Sequence, residues 1–474
     1  MNYTRNLWPD PSFLTNLYDS QRAILPDIFR SRFGILAGTP GTGKSFVTAS
    51  IIKHLVNIHG AHTIAVVAPT GKAAVRITRL MESHGLRLTA TTIHRLLEVG
   101  RNGHDGDGWG FQRHKFRPCQ QMFYFIDETS MLDTNLAAAL LEAIPDGAHV
   151  LFIGDPYQLP PVGPGAPLRD MMASKSELIG FGELTEVQRN AGDIVHGCRK
   201  IKAGEYFRPN TSRLDLASGK NWLHSEMRSP SSQVSKMQCL LRSLPKSFDP
   251  IDDVQVICAL NGKSVNEKHQ LSRIQLNLYL QMLLNPENTI EKNRRFALND
   301  KVICTGNGLL ELAKISVDSA GMKTIVEEGT HEIVANGEIG RVRAMDSKRA
   351  AITLDSGRTV ICPLTNSDGS KARFELGYAV TCHKMQGSQS PIIVVMLDDS
   401  AGANWIASRE WHYTAISRSE TICVTIGKWE TLMRQSKIQS LGKRKTFLTE
   451  RITELHRNST PSVSTALTTP VESV

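Results

Sequence analysis

No stretch of this 474-residue chain is both uncharged and apolar over the ~18 residues that a membrane-crossing helix requires, which excludes a helical spanning protein. The first residues, MNYTRNLWPDPSF, carry no apolar run after the first arginine, so a secretory leader is not expected. The eight cysteines stand singly at 119, 198, 239, 258, 304, 362, 382 and 423, with no CxxC pair among them. That spacing suits neither a zinc site nor a disulfide framework, and a reduced, cytoplasmic protein is expected. Apolar residues at 41% and charged residues at 21% exclude a disordered or fibrous chain. At about 150 residues per domain, the length suggests three domains.

Acidic residues are in deficit, 46 against 55 basic ones, for a net charge of +9. The excess suits a polyanionic partner, although many basic proteins have none. Its placement says more. Residues 71–118 hold nine Lys/Arg to four Asp/Glu, and residues 428–457 hold eight to three.

Short β-branched runs alternate with helical segments, the pattern of parallel βαβ sheets. Candidate strands are FGILA (33–37), TIAVVA (63–68), MFYFI (122–126) and HVLFI (149–153), then VQVIC (254–258), PIIVVML (391–397) and ICVTI (422–426). Two tandem α/β domains account for this spacing. The Gly- and charge-rich stretch 98–118 reads as an inserted β-hairpin. Residues 336–364, with turns DSK and DSG, read as a small inserted barrel. The Ser/Thr/Pro-rich end, 458–474, is expected to be a disordered tail.

GTPGTGKS (38–45) follows a strand and opens a helical run, the setting that a G-x-x-x-x-G-K-[ST] loop needs. Backbone N–H groups of Gly38, Thr39, Pro40's neighbours, Gly41, Thr42 and Gly43 can curl around phosphates, with positive potential from the helix start. Lys44 is expected on the β/γ-phosphates and Ser45 on Mg²⁺. FIDETS (125–130) ends a strand with two acids. Asp127 is expected to hold Mg²⁺ through water, and Glu128 to orient or deprotonate the attacking water. Together these indicate an ATPase using ATP and Mg²⁺.

The further motifs APTGKAAVR (68–76), ATTIHRLL (90–97), GDPYQLPPVG (154–163), LTEVQRN (184–190), NGEIGRV (336–342), YAVTCHKMQGSQ (378–389) and YTAISRS (413–419) occur in a telling order. In them the chain resembles the superfamily 1 DNA helicases of the 5′-to-3′ branch, RecD-like and phage Dda-like, over residues 10–457. The resemblance implies two RecA-like domains, 1–170 and 171–333 with 376–457. It also implies a strand-separating pin at 98–118 and an SH3-like barrel at 334–375. Gln21 would read adenine, its amide matching N6 and N7. Gln158 would sense the γ-phosphate, and Gly387 would lie at the nucleotide. Arg189 and Arg418 would be arginine fingers from the second domain. Pro69, Thr70, Lys72, Thr92, His94, Thr381 and His383 would contact the DNA backbone, and Trp109 would stack at the fork.

Three departures stand out. Gln389 replaces an acid common in the family, the hairpin is short, and LLELAKISVDSAGMKTIVEEGTHE, between CTGN and ANGE, is expanded with no assigned role. No large N-terminal domain precedes the motor in this sequence, so a compact phage- or plasmid-type enzyme is expected, in a bacterial cell or phage host. A monomer acting on single-stranded and forked DNA is the leading expectation, with single-strand-binding or replisome proteins as candidate partners. An RNA helicase, a protein-displacing translocase and an ATP-gated nucleic-acid clamp stay open beside it.

Overall fold

The computed structural model describes residues 6–101, 109–186, 192–209, 213–262, 269–288, 295–319, 321, 323–364, 374–440, 444 and 446–459. The first sheet is built from β1 (Phe33–Gly38), β2 (Ile64–Ala68), β3 (Thr91–Thr92), β6 (Phe123–Ile126), β7 (His149–Gly154) and β8 (Gly180–Leu184). Between β3 and β6, β4 (Val99–Arg101) and β5 (Trp109–Phe111) form a separate hairpin. The sheet order is β3-β2-β6-β7-β1-β8, and every pairing is parallel. All residues of β2, β6 and β7 are buried, as parallel strands covered by helices on both faces must be. The Lys44–His59 helix contributes Val47, Ile51, Ile52 and Leu55 to that cover at helical spacing.

A second parallel sheet follows, with β9 (Trp222–Glu226), β10 (Val254–Cys258), β18 (Ala379–Thr381), β19 (Ser390–Met396) and β20 (Ser419–Gly427) in the order β18-β10-β19-β20-β9. Inserted between β10 and β18 are β11 (Lys301–Cys304), β12 (Gly308–Val317), β13 (Lys323–Val334), β14 (Ile339–Met345), β15 (Arg349–Leu354), β16 (Thr359–Pro363) and β17 (Phe374–Leu376). These seven make one antiparallel sheet. Val302, Val342 and Val360 share a core with Val254 and Val394, so the insert is fused to its host sheet.

Three domain limits shift from the sequence reading. β8 pairs with β1, so the first sheet runs past residue 170. The antiparallel insert spans 301–376, not 334–375, because the expanded segment is the long hairpin β12–β13, joined to β16 at Leu312↔Val360. The Leu448–Ser459 helix returns to the first domain, where Leu448 and Ile452 pack on its core and Thr449 Oγ1 donates to Asp170 O at 3.0 Å. The expected tail lies outside the described residues, except that Asn458 and Ser459 complete this helix.

Two buried histidines tie the fold to pH. His149 Nε2 accepts the Leu7 N–H at 2.8 Å, a bond that protonation would break. His412 lies 2.8 Å from Gln435 Oε1 through Nε2, while its Nδ1 has no partner among the described residues. Burial pushes both pKa values down to about 4. A depressed histidine pKa favours the neutral folded form, so its contribution is whole above about 6.5 and is lost as pH falls towards 4. Thermal stability should therefore drop across that window. His412→Gln should flatten the slope, by an amount of the order of 3 kcal/mol for full protonation. An unchanged slope by calorimetry would show that His412 protonates freely in the folded chain.

Candidate functional site: an interdomain nucleotide cleft

The C-terminal ends of β1, β6 and β7 deliver the phosphate loop, the Asp127–Glu128 pair and Asp155 to one edge of the first sheet. Ligands gather at such an edge in open α/β folds. Within the loop Gly41 (φ 81°) and Gly43 (φ 88°) hold left-handed backbone that a side chain would strain. Lys44 begins the helix and folds back, donating to Gly38 O at 2.6 Å and Thr39 O at 3.2 Å. Burial lowers its pKa, partly offset by Asp155, Glu128 and Asp127. Ser45, in the first turn, is exposed. Gln21 is buried against the loop, donating to Thr42 O at 3.4 Å.

Glu128 has φ 51°, left-handed backbone that costs a non-glycine residue roughly 1–2 kcal/mol. Its Oε1 lies 2.7 Å from Arg76 Nη2, which also reaches Asp127 Oδ2 at 3.4 Å. Burial opposes the Glu128 charge, but Arg76, Arg418 and Lys44 outweigh it and hold the carboxyl below its usual range. Asp127 moves the other way, pushed up by burial and by Glu128 beside it. Asp155 is also pushed up by burial, which Lys44 offsets only in part.

The second domain closes on this edge. Tyr413 donates its hydroxyl to Asp155 Oδ2 at 2.8 Å, the Leu159 N–H donates to Thr414 Oγ1 at 2.8 Å, and Gln386 Nε2 donates to Leu159 O at 3.0 Å. Arg418 is buried, with Nε on Thr414 O at 3.3 Å and Nη1 on Ser388 O at 3.4 Å. Buried Gln158 donates to Asp155 Oδ2 at 3.3 Å, yet its Oε1 and the Ser388 and Ser130 hydroxyls have no partner among the described residues. The donor set fits a magnesium–nucleotide complex. A glycine loop and lysine would suit phosphates, the hard oxygens of Ser45 and Asp127 would suit Mg²⁺, and polar atoms without a partner among the described residues line the seam.

The strand-contact candidates form a second group. Thr70 caps the Gly71–Ser83 helix by accepting the Ala73 N–H at 3.3 Å, with Pro69 just before it, and Thr92 caps the next short helix through the Arg95 N–H at 3.2 Å. His94 is exposed with its ring 5.7 Å from Phe111; Thr381 ends β18 half-buried, and His383, two residues on, is exposed. Lys72 instead faces the insert. Burial lowers its pKa to about 8 against the pull of Asp355 and Glu338. Gly387, expected at the nucleotide, lies against Thr70 and Ala73, where an added Cβ would sit 3.5 Å from each side chain. Trp109 belongs to a strand, paired with Arg101, and not to the hairpin tip; its side chain lies outside the described residues. Arg189 lies outside them altogether.

Arg76, Tyr413, Thr414 and Gln386 were not singled out from sequence, although each falls within a quoted motif. Motif matching marks segments, whereas side-chain pairing across domains needs coordinates.

Residues 21–164 match the AAA domain family, and residues 376–425 match the UvrD-like helicase C-terminal domain family. The chain is 27% identical to the ATP-dependent RecD2 DNA helicase of Deinococcus radiodurans, over 92% of this chain and 52% of that protein. It is 26% identical to the RecBCD enzyme subunit RecD of Mycolicibacterium smegmatis, over 88% of this chain and 73% of that subunit. A shorter match, 29% identical over 36% of this chain and 37% of the other, is to the ATP-dependent DNA helicase dda of Enterobacteria phage T4. In these matches the chain is similar to RecD-like DNA helicases. The chain spans about half the length of the Deinococcus protein. Among its described residues no helix is long and apolar enough to cross a membrane.

The seam at Leu159 can be tested directly. Thr414→Val is nearly isosteric but leaves a buried N–H unpaired, and should cost about 1–3 kcal/mol in urea unfolding. An unaltered midpoint would mean that the seam is open in solution.

Proposed function

We propose that this RecD-like chain is an ATP-dependent DNA helicase that moves 5′-to-3′ on single-stranded DNA and unwinds duplex ahead of it. One observation carries the reading: Tyr413 and Thr414 of the second domain bond Asp155 and the Leu159 N–H of the first, so the helix whose end carries Arg418 is anchored at the sheet edge that holds the phosphate loop and Glu128. Lys44 would bind the β/γ-phosphates, Gln21 the adenine, and Gln158 the γ-phosphate. Glu128 would orient the water and take its proton, while Arg418, with Arg189, would neutralise charge on the transferred group. Mg²⁺, held by Ser45 and through water by Asp127, would supply charge neutralisation at the β- and γ-phosphate oxygens.

Pro69, Thr70, Thr92 and His94 of one domain and Thr381 and His383 of the other would grip successive backbone positions of one strand. Hydroxyls and imidazoles read sugar and phosphate, which suits movement along any sequence. Alternate closing and opening around ATP would then advance the strand. We read the antiparallel insert as the family's SH3-like element, the β4–β5 hairpin as its pin, and the cytoplasm as the working compartment.

Matched duplexes with only a 5′ or only a 3′ single-stranded tail, in DNA or RNA, decide between the readings. Unwinding is expected only from the 5′ DNA tail. Lys44→Ala should abolish turnover, and Glu128→Gln should trap ATP while retaining DNA. Unwinding from a 3′ tail would reject the polarity, and preference for an RNA tail would favour the RNA helicase.

The pin makes a separate expectation. Trp109→Ala should leave DNA-stimulated ATP turnover and single-strand translocation nearly intact while depressing unwinding, since a stacked base is worth roughly 1–3 kcal/mol. Turnover and unwinding that fall in proportion would show that the hairpin supports the motor and does not split the duplex.

A further inference from the structure

Arg76 has no part in the chemistry above, yet it makes a 2.7 Å contact to the group assigned to activate water. A guanidinium on a carboxylate oxygen is a strong charge-assisted pair. An oxygen engaged in this way is a poor acceptor for a proton from water, so the pair withholds the base. Glu128 is buried, its side chain 8% exposed, so little solvent competes for the pair.

The helix that carries Arg76 is the one whose start is assigned to DNA. Lys72 and Arg76 are four residues apart, hence on one face and one turn from each other. The second domain grips the same helix. A Cβ on Gly71 would fall 2.2 Å from Ala335 Cβ, Arg79 Nη2 donates to Asp355 O at 2.6 Å, and Lys72 faces Asp355 and Glu338. A strand that takes Thr70, at the start of this helix, must compete with these contacts. Any shift of this rigid helix moves the base of the Arg76 side chain with it.

We propose that Arg76 is a positioning residue that sequesters the Glu128 carboxylate while no strand is bound, and releases it when the Gly71–Ser83 helix takes up DNA. The inference rests on the proposed roles of Glu128 and Thr70. It gives strand-stimulated hydrolysis a second origin besides domain closure, inside the first domain.

ATP turnover with and without saturating oligothymidylate tests it in wild type, Arg76→Gln and Arg76→Lys, alongside nucleotide-free oligothymidylate affinity and melting temperature. Arg76→Gln should raise DNA-free turnover about fivefold or more, leave DNA-saturated turnover near wild type, and tighten oligothymidylate binding. Binding tightens because the strand no longer has to open the pair. Arg76→Lys keeps the charge with one point of contact and should fall between. Turnover that drops in parallel with and without DNA, or an unchanged ratio at unchanged affinity, overturns the latch. If the glutamine variant melts far below wild type, the lysine variant and its oligothymidylate affinity decide by the same criteria. A wild type that hydrolyses no ATP in either condition would instead remove the helicase reading itself, so the two failures are separable.

Discussion

Three carboxylates, Asp127, Glu128 and Asp155, are brought together at the end of a parallel sheet and largely withdrawn from water, and the arrangement of both domains answers to that constraint. Unpaired buried charges of one sign are costly, and each acid here has a different remedy. Glu128 stays ionised beside Arg76. Asp155 takes hydrogen bonds from Tyr413, Gln158 and the Tyr157 N–H. Asp127 shares the same guanidinium at the longer distance of 3.4 Å, and its hard carboxylate oxygens are of the kind a magnesium ion takes.

The remedies come from both sides of the cleft, and so the domain interface is also the site. Tyr413 and Thr414 are adjacent on the Arg409–Ile416 helix, and Arg418 follows within one turn of its end. A single short helix therefore supplies the bond to Asp155, the acceptor for Leu159 N–H and the proposed finger. The Leu448–Ser459 helix, bound to the Pro167–Ser174 helix, adds a second attachment between the domains. Arg444 supports it by donating to Gly163 O and Gly165 O at 2.6 and 2.9 Å.

Much of the frame was legible in the sequence because buried parallel strands must be apolar on both faces. FYFI and VQVIC could be read as strands from composition alone. β8 (GFGEL) and β9 (WLHSE) could not, since edge strands with one exposed face carry mixed residues. The long hairpin β12–β13 was opaque for a related reason. Its exposed face alternates Glu, Lys and Thr with Val and Ile, so neither a core nor a turn announced it. At the site, fixed spacing exposes the loop at 38–45 and the acids at 127 and 128. Lys72 shows the limit: spacing put it on a helix start, and only the fold revealed acids of another domain facing it.

That misfit at Lys72 also explains why the insert lies where it does. Ala335, Glu338 and Asp355 belong to the antiparallel sheet, yet they bear on the first turns of the Gly71–Ser83 helix. From one turn further along the same helix, Arg76 reaches Glu128. Gly387, from the segment after β18, closes on the same turn through Thr70 and Ala73. One helix of the first domain is thus in contact with the insert, with the loop that follows the proposed strand contacts of the second domain, and with Asp127 and Glu128. A rigid element touched at three places can transmit a displacement at one of them to the others, without a chain of loosely packed intermediates. The proposed coupling between strand and nucleotide then requires no long path: Thr70 and Arg76 are six residues apart, about 9 Å along a helix.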